Sequence, residues 1–328
     1  MMITMVVSVY NTGKYLPKAM ENLLAQTYRD FEILIVDDGS TDGSAEECER
    51  QAEGHENVRV FHKANGGLSS ARNFGIEHAN GDRIIFPDPD DWVAPDYLER
   101  LVSIEQQYNA DLAICGHYLC KKGKTEVWNP KARPMSIDAE KAMEMLILPD
   151  SFCGYAWNKL YRMDVIRDNN LRFDVELGVI QDLHFAVRYF AHCKTVAYDP
   201  APLYYYSRDN GGVTLFRKTL GERELSGLTT YERIAEFAHG THPKVEEAAL
   251  AALAERSLRF IGIYNHLGMN EPEKLAMLRE RFMQNKKYFF ASRVYTFKHK
   301  CAALVAIYSP SAYYFLVRHF GHMRESRY

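Results

Sequence analysis

Along the first hundred residues, short apolar runs alternate with amphipathic stretches. Ile3–Val9 and Phe31–Val36 are continuous apolar runs of strand length, and Val58–His62 and Arg83–Phe86 also read as strands. Leu16–Ala25 carries apolar residues at helical spacing, and Ser44–Ala52 reads as a polar helix. After Asn65-Gly66-Gly67 the pattern predicts a helix to about Ala79, with Ser69 or Ser70 near its start. Strands alternating with helices in this way predict a mainly parallel, doubly wound sheet, an α/β fold. Such sheets bind ligands in the loops that leave the carboxyl ends of their strands. Asp37-Asp38 and Asp88–Asp91 both fall at such ends.

Further on the pattern is less regular. Leu112–Cys115 and Thr195–Tyr198 are expected to be strands, and Asp182–Ala191 a helix. From Lys218 to about Lys287 alanine, leucine and charged residues predict almost continuous helix. The expected organisation is therefore an α/β domain at 1–217, a helical appendage at 218–287 and a basic, aromatic, amphipathic tail at 288–328. In that tail Lys286, Lys287, Arg293, Lys298, His299 and Lys300 precede the uncharged stretch Cys301–Val317, which Arg318 follows. The stretch is short for a membrane span and contains Pro310. Basic and aromatic residues flanking apolar turns suit a helix lying in an anionic membrane interface. An apolar helix packed back onto the domain is the other reading.

Composition changes little in this picture. The 328 residues are 47% hydrophobic and 25% charged, which is ordinary for a globular protein, and a net charge of −3 gives no reason to expect nucleic acid as a partner. Six cysteines without C-x-x-C spacing imply neither a zinc framework nor a disulfide scaffold. The run Met5–Val9 follows no basic segment and reads as a strand rather than an export signal, so cytoplasmic residence is the expectation.

The candidate chemistry is acidic. Asp88, Asp90 and Asp91 follow a buried strand, and carboxylate oxygens suit Mg²⁺ or Mn²⁺, ions that also bridge phosphate oxygens. Alone, the same residues are equally compatible with an acidic turn. A carboxylate at Asp37-Asp38 can accept hydrogen bonds from a base or a ribose. There the competing reading is a capped βα turn with Ser40 or Asp42 as N-cap. Arg72, one turn into its helix, can reach a phosphate or lie in solvent.

Val7-Ser8-Val9-Tyr10-Asn11, Val36-Asp37-Asp38-Gly39-Ser40-Thr41-Asp42, Gly66-Gly67-Leu68-Ser69-Ser70-Ala71-Arg72-Asn73 and Phe86-Pro87-Asp88-Pro89-Asp90-Asp91 occur in this order. Together they resemble the family 2 glycosyltransferases, in particular bacterial enzymes of capsule, exopolysaccharide, lipopolysaccharide and teichoic acid synthesis. The resemblance covers at least residues 3–215. It implies a GT-A fold, Rossmann-like with a mainly parallel sheet flanked by helices, followed by a helical C-terminal region. It implies that Val9, Tyr10, Asn11, Asp38, Asn65, Arg72, Asp88 and Arg208 bind a nucleotide-sugar, with Tyr10 near the base and Asp38 on the uridine. Asp88 and Asp90 match the D-x-D metal pair for Mn²⁺ or Mg²⁺. Asp182 in Val179-Ile180-Gln181-Asp182-Leu183 matches the catalytic base, although a carboxylate favoured at a helix start is its other reading. Gln181 and Trp157, the latter in Trp157-Asn158-Lys159-Leu160-Tyr161, fall on the acceptor side; Trp157 could equally be a core aromatic.

The chain departs from the family pattern at several positions. Ser8 stands in place of proline, Pro87 and Pro89 in place of leucine and serine, and Gln181 in place of glutamate. In Tyr204-Tyr205-Tyr206-Ser207-Arg208, Ser207 stands where arginine is common, and Gly212 where serine is. Arg208 and Thr214 are the nearby candidates for the diphosphate. The expected activity is inverting, metal-dependent transfer from a nucleotide-sugar, a UDP-sugar in the first instance, to a glycan or lipid-linked acceptor. The expected place is the inner face of the cell membrane. A silent nucleotide-sugar-binding partner in a glycan assembly complex is the alternative. A sugar nucleotidyltransferase is disfavoured because the loop Tyr10–Lys14 has one glycine, and a dehydrogenase because no G-x-G-x-x-G follows a strand.

Overall fold

A computed structural model describes residues 1–129, 131–148, 151–209, 221–269, 271–309 and 313. Its strands are β1 (Ile3–Val9), β2 (Phe31–Asp37), β3 (Val58–His62), β4 (Arg83–Ile85), β5 (Trp92–Val93), β6 (Leu112–Lys121), β7 (Lys124–Val127), β8 (Met135–Asp138), β9 (Lys159–Arg162) and β10 (Thr195–Ser207). The helices beside them are α1 (Leu16–Leu24), α2 (Ser44–Ala52), α3 (Leu68–His78), α4 (Tyr97–Tyr108), α5 (Ala139–Ile147), α6 (Met163–Asp168) and α7 (Gln181–Phe190).

The sheet order is β3-β2-β1-β4-β9-β6-β10-β5, with β7 beside β6 and β8 beside β10. β3, β2, β1 and β4 are parallel, as the alternation of strand and helix predicts. β2 is buried at every residue, because helices cover both faces of a central parallel strand. Beyond β4 the sheet is mixed. β9 runs antiparallel to both β4 and β6, while β10 is parallel to β6 and antiparallel to β5 and β8.

Two local features aim this sheet at a site. α3 lies directly on β1 because Gly75 has no side chain there; a Cβ would stand 2.3 Å from Val6 Cγ1. That contact carries the start of α3, with Arg72, to the carboxyl ends of the parallel strands. β10 shifts register between Asp199 and Tyr204, and its last part runs beside β5. Bulges of this kind re-aim the residues that follow, and here they bring Tyr204 and Ser207 to the acidic loop.

A second compact unit contains α8 (Glu222–Ala238), α9 (Pro243–Leu267), α10 (Pro272–Ala291) and α11 (Phe297–Tyr308), together with the segments Glu144–Cys153 and Leu177–Ile180. α9 packs on both α8 and α10. The continuous helix expected at 218–287 is thus three helices, interrupted near Gly240 (φ +73°) and Gly268 (φ +65°). Among the described residues no helix is long and apolar enough to cross a membrane. Gly212, Thr214, Pro310, Val317 and Arg318 lie outside the described residues.

Candidate active site

At the carboxyl ends of β1 and β2, three loops are tied into one rim. The Asp38 N–H donates to the Val9 carbonyl at 2.8 Å, so that carbonyl is already engaged. Asn11 adopts φ +54°, which asparagine tolerates; its N–H donates to Ser40 Oγ and its Oδ1 accepts from the Thr41 N–H at 2.8 Å. Asp38 is 2% exposed and accepts from Lys63 Nζ (2.5 Å), the Gly66 N–H and the Gly67 N–H (2.7 Å). Gly39, at φ +73°, lets this loop close, since a Cβ would stand 2.8 Å from the Asn65 nitrogen. Lys63 escaped the sequence reading, because only the fold shows that it meets Asp38. Tyr10 (50% exposed) and Asn65 are open to solvent on this rim.

Next to Asp38, Asp37 faces the other way. His62 Nδ1 is 2.9 Å from Asp37 Oδ2, and its Nε2 is 2.8 Å from Glu49 Oε1. Those two carboxylates raise the His62 pKa. Burial opposes ionisation of Asp37, but His62 and Ser40 outweigh it and hold its carboxyl below the usual range. Asp37 therefore fastens the strand end to α2 through His62, while Asp38 holds Lys63 and the Gly66–Gly67 turn.

The three carboxylates after β4 have different surroundings. Asp91 is 3% exposed, accepting from the Tyr204 hydroxyl (2.8 Å) and the Ser207 N–H (2.7 Å). The same Tyr204 oxygen accepts the Asp88 N–H at 3.0 Å. Burial pushes the Asp91 carboxyl well up, with Asp90 and Asp88 adding to the shift. Asp91 is thus an internal cross-link between the loop and β10. Asp88 is ion-paired to Arg72, Nη2 to Oδ1 at 3.0 Å. Burial raises the Asp88 pKa against the pull of Arg72. Asp90 is pushed up to about 6 by burial and by the charge of Asp88.

Arg72 is 3% exposed, lies 5.2 Å over the Phe173 ring, and has an Nη1 without a hydrogen-bond partner among the described residues. A buried guanidinium nitrogen without an acceptor is costly, and a phosphate oxygen is a fitting acceptor. Asn73 helps to place Phe173: its Nδ2 donates to the Phe173 carbonyl and its Oδ1 accepts the Phe173 N–H, both at 2.8 Å.

α7 begins at Gln181, one residue earlier than expected, after Ile180 at φ +62°. A β-branched residue rarely adopts that conformation, so the backbone is strained immediately before Gln181 and Asp182. Gln181 is buried. Burial raises the Asp182 pKa; Arg72 opposes the shift, Asp88 reinforces it, and Lys159 and the Leu183 N–H oppose it. The fold therefore pairs Arg72 with Asp88, from positions apart in sequence, and the charges of both bear on Asp182.

The remaining two candidates are Arg208 and Trp157. Arg208 stacks over Tyr206 at 5.8 Å, and its N–H donates to the Cys120 carbonyl. Trp157 is 1% exposed and stacks on Tyr204 (4.1 Å) and on Tyr155 (4.6 Å), so its ring has no open face for a sugar. Of its two readings, the core aromatic is the one these surroundings match.

For a divalent cation, the candidate donors are Asp88 and Asp90. Two carboxylates crowd there with Arg72 as the paired cation, and oxygen donors suit Mn²⁺ or Mg²⁺, so the residues fit such an ion. Among the described residues no cluster of three metal-ligating side chains exists.

The model for "Glycosyl transferase family 2" matches residues 4–169. EpsH of Bacillus subtilis (strain 168), which is named as a glycosyltransferase, is 34% identical over 251 residues, covering 75% of this chain and 71% of EpsH. The fold is similar to that of S. aureus TarS 1–349 in complex with UDP-GlcNAc, with a TM-score of 0.60 at 18% identity over 87% of this chain and 89% of the TarS 1–349 chain. It is also similar to the mannosyltransferase PcManGT of Pyrobaculum calidifontis in complex with GDP-Man and Mn²⁺, with a TM-score of 0.55 at 15% identity over 96% and 86% of the chains. The architecture is the GT-A type expected from the motifs. With a family match over half its length and a relative 34% identical over 75% of it, the chain belongs to glycosyl transferase family 2.

Proposed function

We propose that the protein is an inverting transferase that moves a hexosyl or N-acetylhexosaminyl group from a UDP-sugar to a hydroxyl of a glycan or lipid-linked acceptor in bacterial surface polysaccharide synthesis. The observation that carries this reading is the buried Arg72, paired to Asp88 and holding a second nitrogen, Nη1, that has no hydrogen-bond partner among the described residues. Tyr10 meets the base, Asp38 the uridine, and Val9, Asn11 and Asn65 line the nucleotide. Arg72 binds the diphosphate, with Arg208 as a further cation. Asp88 and Asp90 would hold Mn²⁺ or Mg²⁺, which when bound neutralises charge on the departing nucleoside diphosphate. TarS, of the same fold, binds UDP-GlcNAc, and PcManGT binds GDP-Man with Mn²⁺.

Asp182 takes the proton of the acceptor hydroxyl. The oxygen attacks the anomeric carbon opposite the diphosphate, and the carbon–oxygen bond to the diphosphate breaks. The electron pair leaves with the nucleoside diphosphate, so the configuration inverts without a covalent intermediate. Gln181 orients the acceptor by hydrogen bonding and, being neutral, adds no like charge beside the base. A thermal-shift screen of nucleotide-sugars with and without Mn²⁺ tests the donor site. At least one UDP-sugar is expected to raise the melting temperature, and more so with Mn²⁺. No shift from any nucleotide-sugar overturns the reading.

The same reading sets the chain against the inner face of the cytoplasmic membrane. On α11, Phe297 (81% exposed), Leu304 (44%) and Tyr308 (82%) follow at i, i+7 and i+11, one helix face, with exposed Lys298 near its start. The protein is expected to sediment with vesicles containing anionic lipid at low salt, and Phe297→Glu with Leu304→Glu to abolish this. Equal recovery of the wild type from vesicles and from buffer contradicts it.

A further inference from the structure

Pro87 and Pro89 flank Asp88, and proline has no backbone N–H. Asp88 therefore carries the only backbone donor of residues 87–89. That N–H donates to the Tyr204 hydroxyl oxygen at 3.0 Å, reaching β10 from 116 positions away in sequence. The same hydroxyl donates to Asp91 Oδ2 at 2.8 Å, while the Ser207 N–H donates to Asp91 Oδ1 at 2.7 Å. Within the loop, the Asp91 N–H donates to the Asp88 carbonyl at 3.3 Å. One phenol oxygen thus holds the loop at both ends, and both oxygens of Asp91 are engaged by β10.

The phenol is itself held in place. Its ring is 0% exposed and lies flat on Trp157, with centroids 4.1 Å apart and 9° between the planes. Trp157 is fixed in turn, its carbonyl accepting the Tyr97 hydroxyl. A buried hydroxyl costs free energy unless it is hydrogen-bonded, and here both bonds go to the loop that carries the candidate metal donors. We propose that Tyr204 is a positioning residue for the divalent cation: its oxygen fixes the backbone at Asp88 and engages Asp91, which leaves Asp88 and Asp90 as the metal pair. This rests on the reading of Asp88 and Asp90 as metal donors. Groups that orient metal ligands without touching the metal raise its affinity, because the ligands then lose less freedom on binding. Tyr204→Phe keeps the stacked ring and all three loop carboxylates and removes the oxygen alone.

The test is a titration of Mn²⁺ into the full chain with UDP present, read by electron paramagnetic resonance of the free ion. Tyr204→Phe is expected to raise the Mn²⁺ dissociation constant about 10–100-fold. UDP-sugar turnover is expected to recover towards wild type as Mn²⁺ is raised, because the donors themselves remain. A purely structural tyrosine would lower the melting temperature and leave Mn²⁺ affinity unchanged, and that result overturns the inference. Should the variant not fold, the wild type still answers. In ¹⁵N-aspartate-labelled protein the Asp88 amide, identified by its loss in Asp88→Asn, is expected to exchange with solvent as slowly as a sheet amide. Rapid exchange overturns the inference. Failure of the metal reading would look different: wild type would take up no Mn²⁺ beyond what UDP alone binds, which overturns that reading and the inference with it.

Discussion

Replacing Asp182 with asparagine is expected to lower sugar transfer by about 10²–10⁴-fold, the usual contribution of a positioned general base. Donor affinity is expected to stay within about threefold, because the residue accepts a hydrogen bond only from Leu183 among the described residues and takes no part in the Arg72–Asp88 pair. Asparagine is isosteric and retains an acceptor for that N–H. It also removes a charge that burial already disfavours, so the variant should melt no earlier than wild type. The comparison is informative in both directions. Equal residual donor hydrolysis in wild type and variant would mean that the chain binds nucleotide-sugars without transferring them, the alternative raised by Gln181, Ser207 and Gly212.

Arg72→Ala is expected to do more, because Arg72 serves structure and substrate together. Its loss leaves Asp88 without its cation at 28% exposure, and removing the partner of such a half-buried charge costs about 1–3 kcal/mol at neutral pH. The same substitution removes Nη1, the donor for which a diphosphate oxygen is the fitting acceptor. kcat/KM for the donor is expected to fall by about 10²–10³-fold, as when one transition-state donor is removed elsewhere. Arg72→Lys separates the roles: it keeps a charge for Asp88 but not the planar fork, so stability should recover further than kcat/KM. Urea unfolding with steady-state kinetics reads both. A destabilised variant with wild-type donor affinity would make Arg72 a structural residue only.

What could be read from the residues was local. Continuous apolar runs such as Phe31–Val36 mark buried parallel strands, and acidic turns at their ends mark a ligand rim, so the parallel half and Asp38, Arg72, Asp88 and Asp90 were visible in order. β9 was not. Its residues Lys159-Leu160-Tyr161-Arg162 show no strand alternation, and they become a strand because β4 and β6 flank them. Asp91 looks like its neighbours in sequence, and only Tyr204 and Ser207, more than a hundred positions away, make it a cross-link. Trp157 offered two readings that differ only in what stacks on it, and Tyr155 and Tyr204 supply that.

Inverting transfer through Asp182 is tested most directly by time-resolved proton NMR of UDP-sugar turnover by the full chain with Mn²⁺. The expected result is that a UDP-α-sugar is consumed and the transferred or released sugar appears first as the β-anomer, with Asp182→Asn nearly inert. First appearance of the α-anomer, or no consumption of any nucleotide-sugar, would contradict it.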